Sequence, residues 1–121
     1  MASGGYILVY RELFDHELFA PEPYTEREAW LWLIKEAAWK SGSVRTKAGP
    51  RNVERGELIS STRFMAKRWR WSEARVRRFL RRLILASMVV TLTDKNSTHI
   101  TICNYDTYQD MRRNSDATPT Q

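Results

Sequence analysis

The sequence predicts a mainly α-helical domain with a small antiparallel β wing, a winged helix-turn-helix. Three observations predict it. Two short helical stretches meet at a tight connection, Arg70-Trp71. Two β-rich runs, Met88–Thr93 and Thr98–Cys103, follow them around the turn Asp94-Lys95-Asn96-Ser97. The second helical stretch is apolar on one face and arginine-rich on the other, as a helix must be if it packs a core and meets a polyanion.

The elements can be justified in order. Gly5–Phe19 reads as a short extended entry through Ile7–Leu8 and then a helical turn or two, broken by Pro21 and Pro23. Thr25 with Glu28 three residues on is a capping-box signature, so a helix is expected from there to about Lys40. Trp30, Leu33, Ile34 and Ala37 form its apolar stripe; Leu31, Trp32 and Trp39 lie off it, which predicts burial on more than one side. Ser41–Asn52 is turn-rich and basic, with Val44–Thr46 expected to pair loosely near Val53–Glu54. Gly56 marks a turn and Glu57–Ser60 a short strand. Ser60 or Ser61 then caps a helix to Trp69, with Met65, Ala66 and Trp69 inward. Ser72 caps the next, which runs to about Ser87. Residues 1–110 are read as one domain and 111–121 as a polar, disordered tail or linker.

Composition narrows the function classes. With 121 residues, 42% hydrophobic and 12% aromatic, the chain can build a core, so wholesale disorder is excluded. One cysteine excludes an intramolecular disulfide framework and a multi-cysteine zinc site. No apolar run approaches the roughly 18 residues of a membrane span, and no secretory signal pattern is present, so a cytosolic (cytoplasmic) location is expected. Neither a phosphate-cradling glycine loop nor a nucleophile motif occurs; no enzyme activity and no cofactor are expected.

Charge is distributed unevenly. The net charge is +6, yet residues 61–86 alone hold nine basic side chains against Glu73, a net +8, and the flanks 1–60 and 87–121 are each −1. Such concentration is the footprint expected of a surface for a polyanion. At 100° per residue from Val76, Phe79, Leu80 and Leu83 fall within about 60°, whereas Arg77, Arg78, Arg81 and Arg82 lie between about 100° and 240°. An arginine fork binds phosphate or the guanine O6/N7 edge bidentately, and a helix fits the major groove of B-DNA. Arg77, Arg78 and Arg81, with Glu73 and Ala74, are therefore the candidate base readers. Arg75 and Arg82 are candidate phosphate contacts, and Ser72 with the free N–H groups of the helix start can hold another. Lys67, Arg68 and Arg70 would position the backbone, and Lys95 at the wing tip would reach the adjacent minor groove. Double-stranded DNA is the expected partner, since the major groove of A-form RNA is too narrow for a helix.

At these residues the chain resembles a family. GYILVYREL, TEREAWLWLIKEAAW, RGELISSTRFMAKRWRWSEARVRRFL and ITICNYDTYQ look like blocks of the N-terminal winged-helix domain of phage and prophage replication initiator (replisome-organiser) proteins, over residues 5–109. The resemblance implies duplex DNA binding at a replication origin, with replication proteins as further partners. Where the family often carries Gly in the helix-turn-helix connection, this chain has Arg70, which predicts a strained or differently shaped turn. The family's C-terminal region for the helicase-loading machinery has no counterpart, implying an excised domain or a protein acting by DNA binding alone.

Other readings use the same residues differently. A transcriptional regulator would employ the same interface on promoter or operator DNA, and a homodimer or head-to-tail oligomer would match a palindromic or a repeated target. A protein-interaction module would dock a partner on the N-terminal apolar segment or Trp39. Trp69 and Trp71 are read as core or hinge residues ahead of a stacking platform for single strands. His99 and Cys103 share a strand face but lie near 13 Å apart at about 3.3 Å per residue, too far to share a metal ion easily. His16 stands alone between acids. Glu28 has its capping role, and Glu26 and Glu36 lie on a helix dominated by apolar faces.

Overall fold

The computed structural model describes residues 5–94 and 97–109. A 3-10 turn at Arg11–Asp15 follows an extended entry, as the sequence predicts. Helix α1, Glu26–Glu36, starts in a complete capping box: Thr25 Oγ1 accepts from the Glu28 N–H, and the Glu28 carboxylate accepts from the Thr25 N–H. It ends four residues before the expected Lys40. Ala37 turns extended, and the Ala38 N–H donates to the Glu57 carbonyl at 2.9 Å. A long-range backbone pair has overridden the local helical preference of this alanine-rich segment.

Strands β1, Gly42–Thr46, and β2, Gly49–Val53, form a two-stranded antiparallel hairpin around Lys47-Ala48. Its register pairs Val44 with Arg51 and Gly42 with Val53, so Val44–Thr46 pairs with Gly49–Arg51 and not near Val53–Glu54. Strand β3, Glu57–Ser60, is an edge strand of the second sheet. It pairs with β5, Thr98–Ile102, which also pairs with β4, Val89–Thr93, giving the sheet order β3-β5-β4. Between β3 and β4 run α2, Thr62–Trp69, and α3, Glu73–Leu85. Ser61 Oγ accepts from the Phe64 N–H and Ser72 Oγ from the Arg75 N–H, so both serines are N-caps. A single-turn helix α4, Tyr105–Tyr108, follows β5.

The fold is therefore small α+β: among the described residues there are four helices and five strands in two sheets, with a helical content of only 40%. This corrects the mainly α class that the sequence predicts. The basic segment after α1 is an ordered ladder, and β3 joins the following hairpin as a third strand, so the β part is a second structural layer and not an appendage.

The core lies between that sheet and the helices. Ala29, Trp32, Leu33 and Ile34 of α1 are buried against Met65, Ala66 and Trp69 of α2 and Val76, Phe79, Leu80 and Leu83 of α3. Trp30 is only partly buried and meets Tyr108 edge-on at 5.6 Å, while Leu31 and Trp39 are half exposed. The inward stripe of α1 is thus centred on Ala29–Leu33 and turned away from Trp30. Four aromatic rings join the helices: Trp69 contacts Trp32 at 5.6 Å, Trp71 at 5.0 Å and Phe79 at 6.0 Å, each near edge-to-face. Trp71 also donates its indole N–H to the Tyr24 carbonyl at 2.8 Å. Both Trp69 and Trp71 are core residues.

Arg70 takes the left-handed conformation, φ 59° and ψ 44°, and so reverses the chain between α2 and α3. For an L-residue that region costs about 1–2 kcal/mol, whereas glycine enters it freely and gives back up to about 1 kcal/mol through its larger unfolded-state entropy. Arg70→Gly is expected to raise stability by about 0.5–1 kcal/mol, seen as a higher denaturation midpoint with an unchanged m value. A lower midpoint would mean that the arginine side chain holds the turn.

Candidate nucleic-acid interface

The basic segment 61–86 occupies α2, the left-handed turn and α3. Met65, Ala66, Trp69, Trp71, Val76, Phe79, Leu80 and Leu83 go to the core, while Phe64, Ile84 and Leu85 stay exposed alongside the charges. On α3 Val76, Phe79, Leu80 and Leu83 are all buried, and Glu73, Ala74, Arg75, Arg77, Arg78, Arg81 and Arg82 are all exposed. This is the division that the 3.6-residue period predicts.

The arginines differ in what else they touch. Arg78 and Arg81, at about 200° and 140° from Val76, sit near the middle of the outer face with Ala74. Among the described residues neither makes an ion pair. Arg77 stands on the flank, 3.8 Å from Glu73 one turn earlier. Arg75 lies over the Trp71 ring at 3.9 Å, a cation–π contact that sets its guanidinium beside the turn. Arg82 is bound to the Glu26 carboxylate at the start of α1.

On α2 and the turn, Arg63, Lys67 and Arg70 are exposed and make no ion pair among the described residues. Arg68 is different. It is half-buried and donates to Asp15 of the 3-10 turn. That bond holds the Asp15 carboxyl below the usual carboxylate range and raises the arginine in return. Arg68 and Arg82 are therefore tied to acids 53 and 56 residues away in sequence, pairings that no local pattern announces. Lys95, the remaining candidate, lies outside the described residues, as does the predicted tail 111–121. Arg63 was given no role by the spacing argument; the signal for it is only its membership of the basic run.

Ser72 uses its hydroxyl to accept from the Arg75 N–H, the ordinary cap. Among the described residues no group of three or more His, Cys, Asp and Glu is placed to hold a metal ion. His99 Nε2 meets Glu57 Oε1 at 2.9 Å, and Cys103 follows β5 in a turn, its N–H donating to the Met88 carbonyl. His16 accepts from the Leu18 N–H at 3.1 Å and its ring contacts Phe19. The N-terminal apolar residues Ile7, Leu8 and Tyr10 are at least three-quarters exposed, and Trp39 is half exposed with Lys40 over its ring. No helix among the described residues is long and apolar enough to cross a membrane.

No protein-family model, no curated protein and no solved structure matches the chain.

One titration follows from the β3 end of the core. The Glu54 N–H, and then His99, hold the Glu57 carboxyl below the ordinary glutamate range. A lowered folded-state value stabilises the fold at pH above the unfolded glutamate value, about 4.3, and that contribution is lost as pH falls through the folded value. Glu57→Gln should therefore flatten the acid limb of stability against pH by lowering the neutral plateau, while stability at the acid end changes little. An unchanged acid limb would show that Glu57 titrates alike in the folded and unfolded chain.

Proposed function

We propose that this chain binds double-stranded DNA, with α3 in the major groove and α2 against the sugar–phosphate backbone. The carrying observation is that α3 buries every apolar residue of its inner stripe and turns Arg78 and Arg81, both without ion pairs among the described residues, to the centre of its outer face. An isolated surface helix gains nothing by lining up like charges, because exposed guanidinium groups on adjacent turns repel. A duplex supplies the missing counter-charge and, at guanine, a bidentate acceptor.

Within this reading Arg78 and Arg81 read base edges, with Ala74 close to the groove floor and Arg77 at one side. Arg75, fixed over Trp71, and Arg70, Lys67 and Arg63 take phosphates. The resemblance of the chain's blocks to phage and prophage replication initiators directs the reading to origin recognition, and the position of the preferred site in an origin or a promoter is the observation that separates initiation from transcriptional control.

Selection from random duplexes tests the proposal, comparing wild type with Arg78→Ala/Arg81→Ala. An enriched motif that weakens in the variant supports base reading by α3, and the absence of any motif in either protein overturns it. Each single arginine change should cost roughly 1–3 kcal/mol and relax specificity at one position. With four to six phosphates neutralised, the log–log salt slope should be about −4 to −5.

The Glu26–Arg82 pair adds a second expectation. Glu26→Gln frees the guanidinium and removes a carboxylate that repels phosphate. Affinity at low salt should rise a few-fold, an exposed ion pair being worth no more than about 1 kcal/mol, and the gain should shrink as salt increases. Titration of a labelled duplex across salt concentrations reads this directly; weaker binding would place Glu26 among the DNA contacts.

A further inference from the structure

The hairpin β1–β2 presents a second charged surface that the interface above does not use. Residues 41–53 contain Arg45, Lys47 and Arg51 and no acid. Apart from Val53, which is buried, the hairpin contributes no fully buried side chain, and Arg45, Lys47 and Ala48 at its free end are exposed. A two-stranded ribbon without an apolar face has little stability of its own. Here it is held at its base and again partway along.

At the base, the Ala38 N–H donates to the Glu57 carbonyl, the Gly56 N–H donates to the Ala38 carbonyl at 2.7 Å, and the Ser41 hydroxyl donates to the Glu54 carboxylate at 2.9 Å. Arg55 anchors the same point, donating to the Asp106 carboxylate and to the Trp39 and Gln109 carbonyls, and lying over the Tyr105 ring. Further along, Arg51 pairs with Asp94 at 3.1 Å, fastening the ribbon to the β4–β5 turn. Arg55 and Arg51 are thus consumed by the fold. Arg45 and Lys47 make no ion pair among the described residues, and both line a groove of about 720 Å³ that continues to Ser61 and Phe64 at the start of α2 and to Asp94 and Ser97.

We propose that the β1–β2 hairpin is a separate phosphate-contacting arm, with Arg45 and Lys47 engaging the DNA backbone beyond the stretch that α3 reads. This rests on the DNA-binding reading of α3 and extends it. The Arg51–Asp94 pair and the bonds at its base tie the ribbon to the rest of the fold, and the groove it lines reaches the N-terminus of α2. Its length, about 17 Å at roughly 3.3 Å per residue, allows it to follow the backbone for several base pairs. The three acids that line the same groove, Glu36, Glu57 and Asp94, are paired with Lys35, His99 and Arg51, which leaves Arg45 and Lys47 to a phosphate chain, a partner that carries charge without sequence information.

The test measures affinity for a labelled random-sequence duplex as a function of salt, for wild type, Arg45→Ala/Lys47→Ala and Ala48→Lys. Removing two phosphate contacts should reduce the log–log slope by about 1.8 and adding a lysine at the tip should steepen it by up to about 0.9, with the selected base motif unchanged in both. The gain in the lysine variant cannot arise from misfolding. Slopes equal to wild type in both variants, or weaker binding at an unchanged slope, would overturn the arm while leaving the α3 reading intact. A wild type without salt-dependent duplex binding would sink both. An altered base motif would make the hairpin a reader and not a phosphate arm.

Discussion

Everything in the arrangement of α2 and α3 depends on the packing around Trp69. Helix α2 has eight residues, too few to persist alone in water, so its position is set by what it buries. Trp69 is fully buried and touches Trp32 of α1, Trp71 beyond the turn and Phe79 of α3. Its carbonyl also accepts from the Tyr24 N–H at 2.9 Å, which fixes the approach to α1. Edge-to-face ring pairs have a preferred geometry as well as apolar area. The angle between α2 and α3 is therefore held by four rings and one left-handed residue, Arg70, with little left to the connecting backbone. Trp32 and Trp69 keep their indole N–H groups without a protein acceptor among the described residues. Ring packing has been favoured there over hydrogen bonding.

That packing also determines which charges are displayed. Once Val76, Phe79, Leu80 and Leu83 face Trp69 and the sheet, the remaining positions of α3 have no freedom. Arg78 and Arg81 must stand outward, and Arg82 must swing toward the start of α1, where Glu26 receives it. A shift of one residue in the apolar stripe would have exchanged these roles. The basic surface is in this sense a product of the core, and its pattern of free and bound arginines follows from helix rotation as much as from composition.

Much of this is legible in the chain itself. Thr25 with Glu28, Ser61 and Ser72 announce three helix starts because capping is a local event, read within three residues. The period of α3 identifies both its faces for the same reason. What escapes local reading is whatever depends on distant partners. Ala37 and Ala38 favour helix, yet Ala38 pairs with Glu57 and α1 ends early. Glu57–Ser60 is recognisable as a strand, but its union with β5 is not, and so the weight of the β structure is underestimated and the fold class with it. The hairpin register differs from the expected one because Gly49, at φ 109°, enters the ladder directly opposite Thr46. The pairs Asp15–Arg68 and Glu26–Arg82 span more than fifty residues and leave no trace in spacing.

Gly56 shows how the hairpin is joined to the rest. At φ 86° it bonds to Ala38 on one side and receives the Ile102 N–H on the other, and a Cβ there would stand 3.0 Å from the Tyr105 Cβ. A side chain there would be strained by the positive φ and would press Tyr105 back by a few tenths of an ångström. The chain accordingly leaves the core at Ala38 and returns at Gly56 through a single closed gate, and what lies between bears little of the core's packing. Doubling the length of such an excursion adds only about 0.6 kcal/mol of closure entropy. The gate thus makes the intervening segment one whose length and charge can change with little effect on the core, whereas a change at Gly56 strains the backbone and crowds Tyr105.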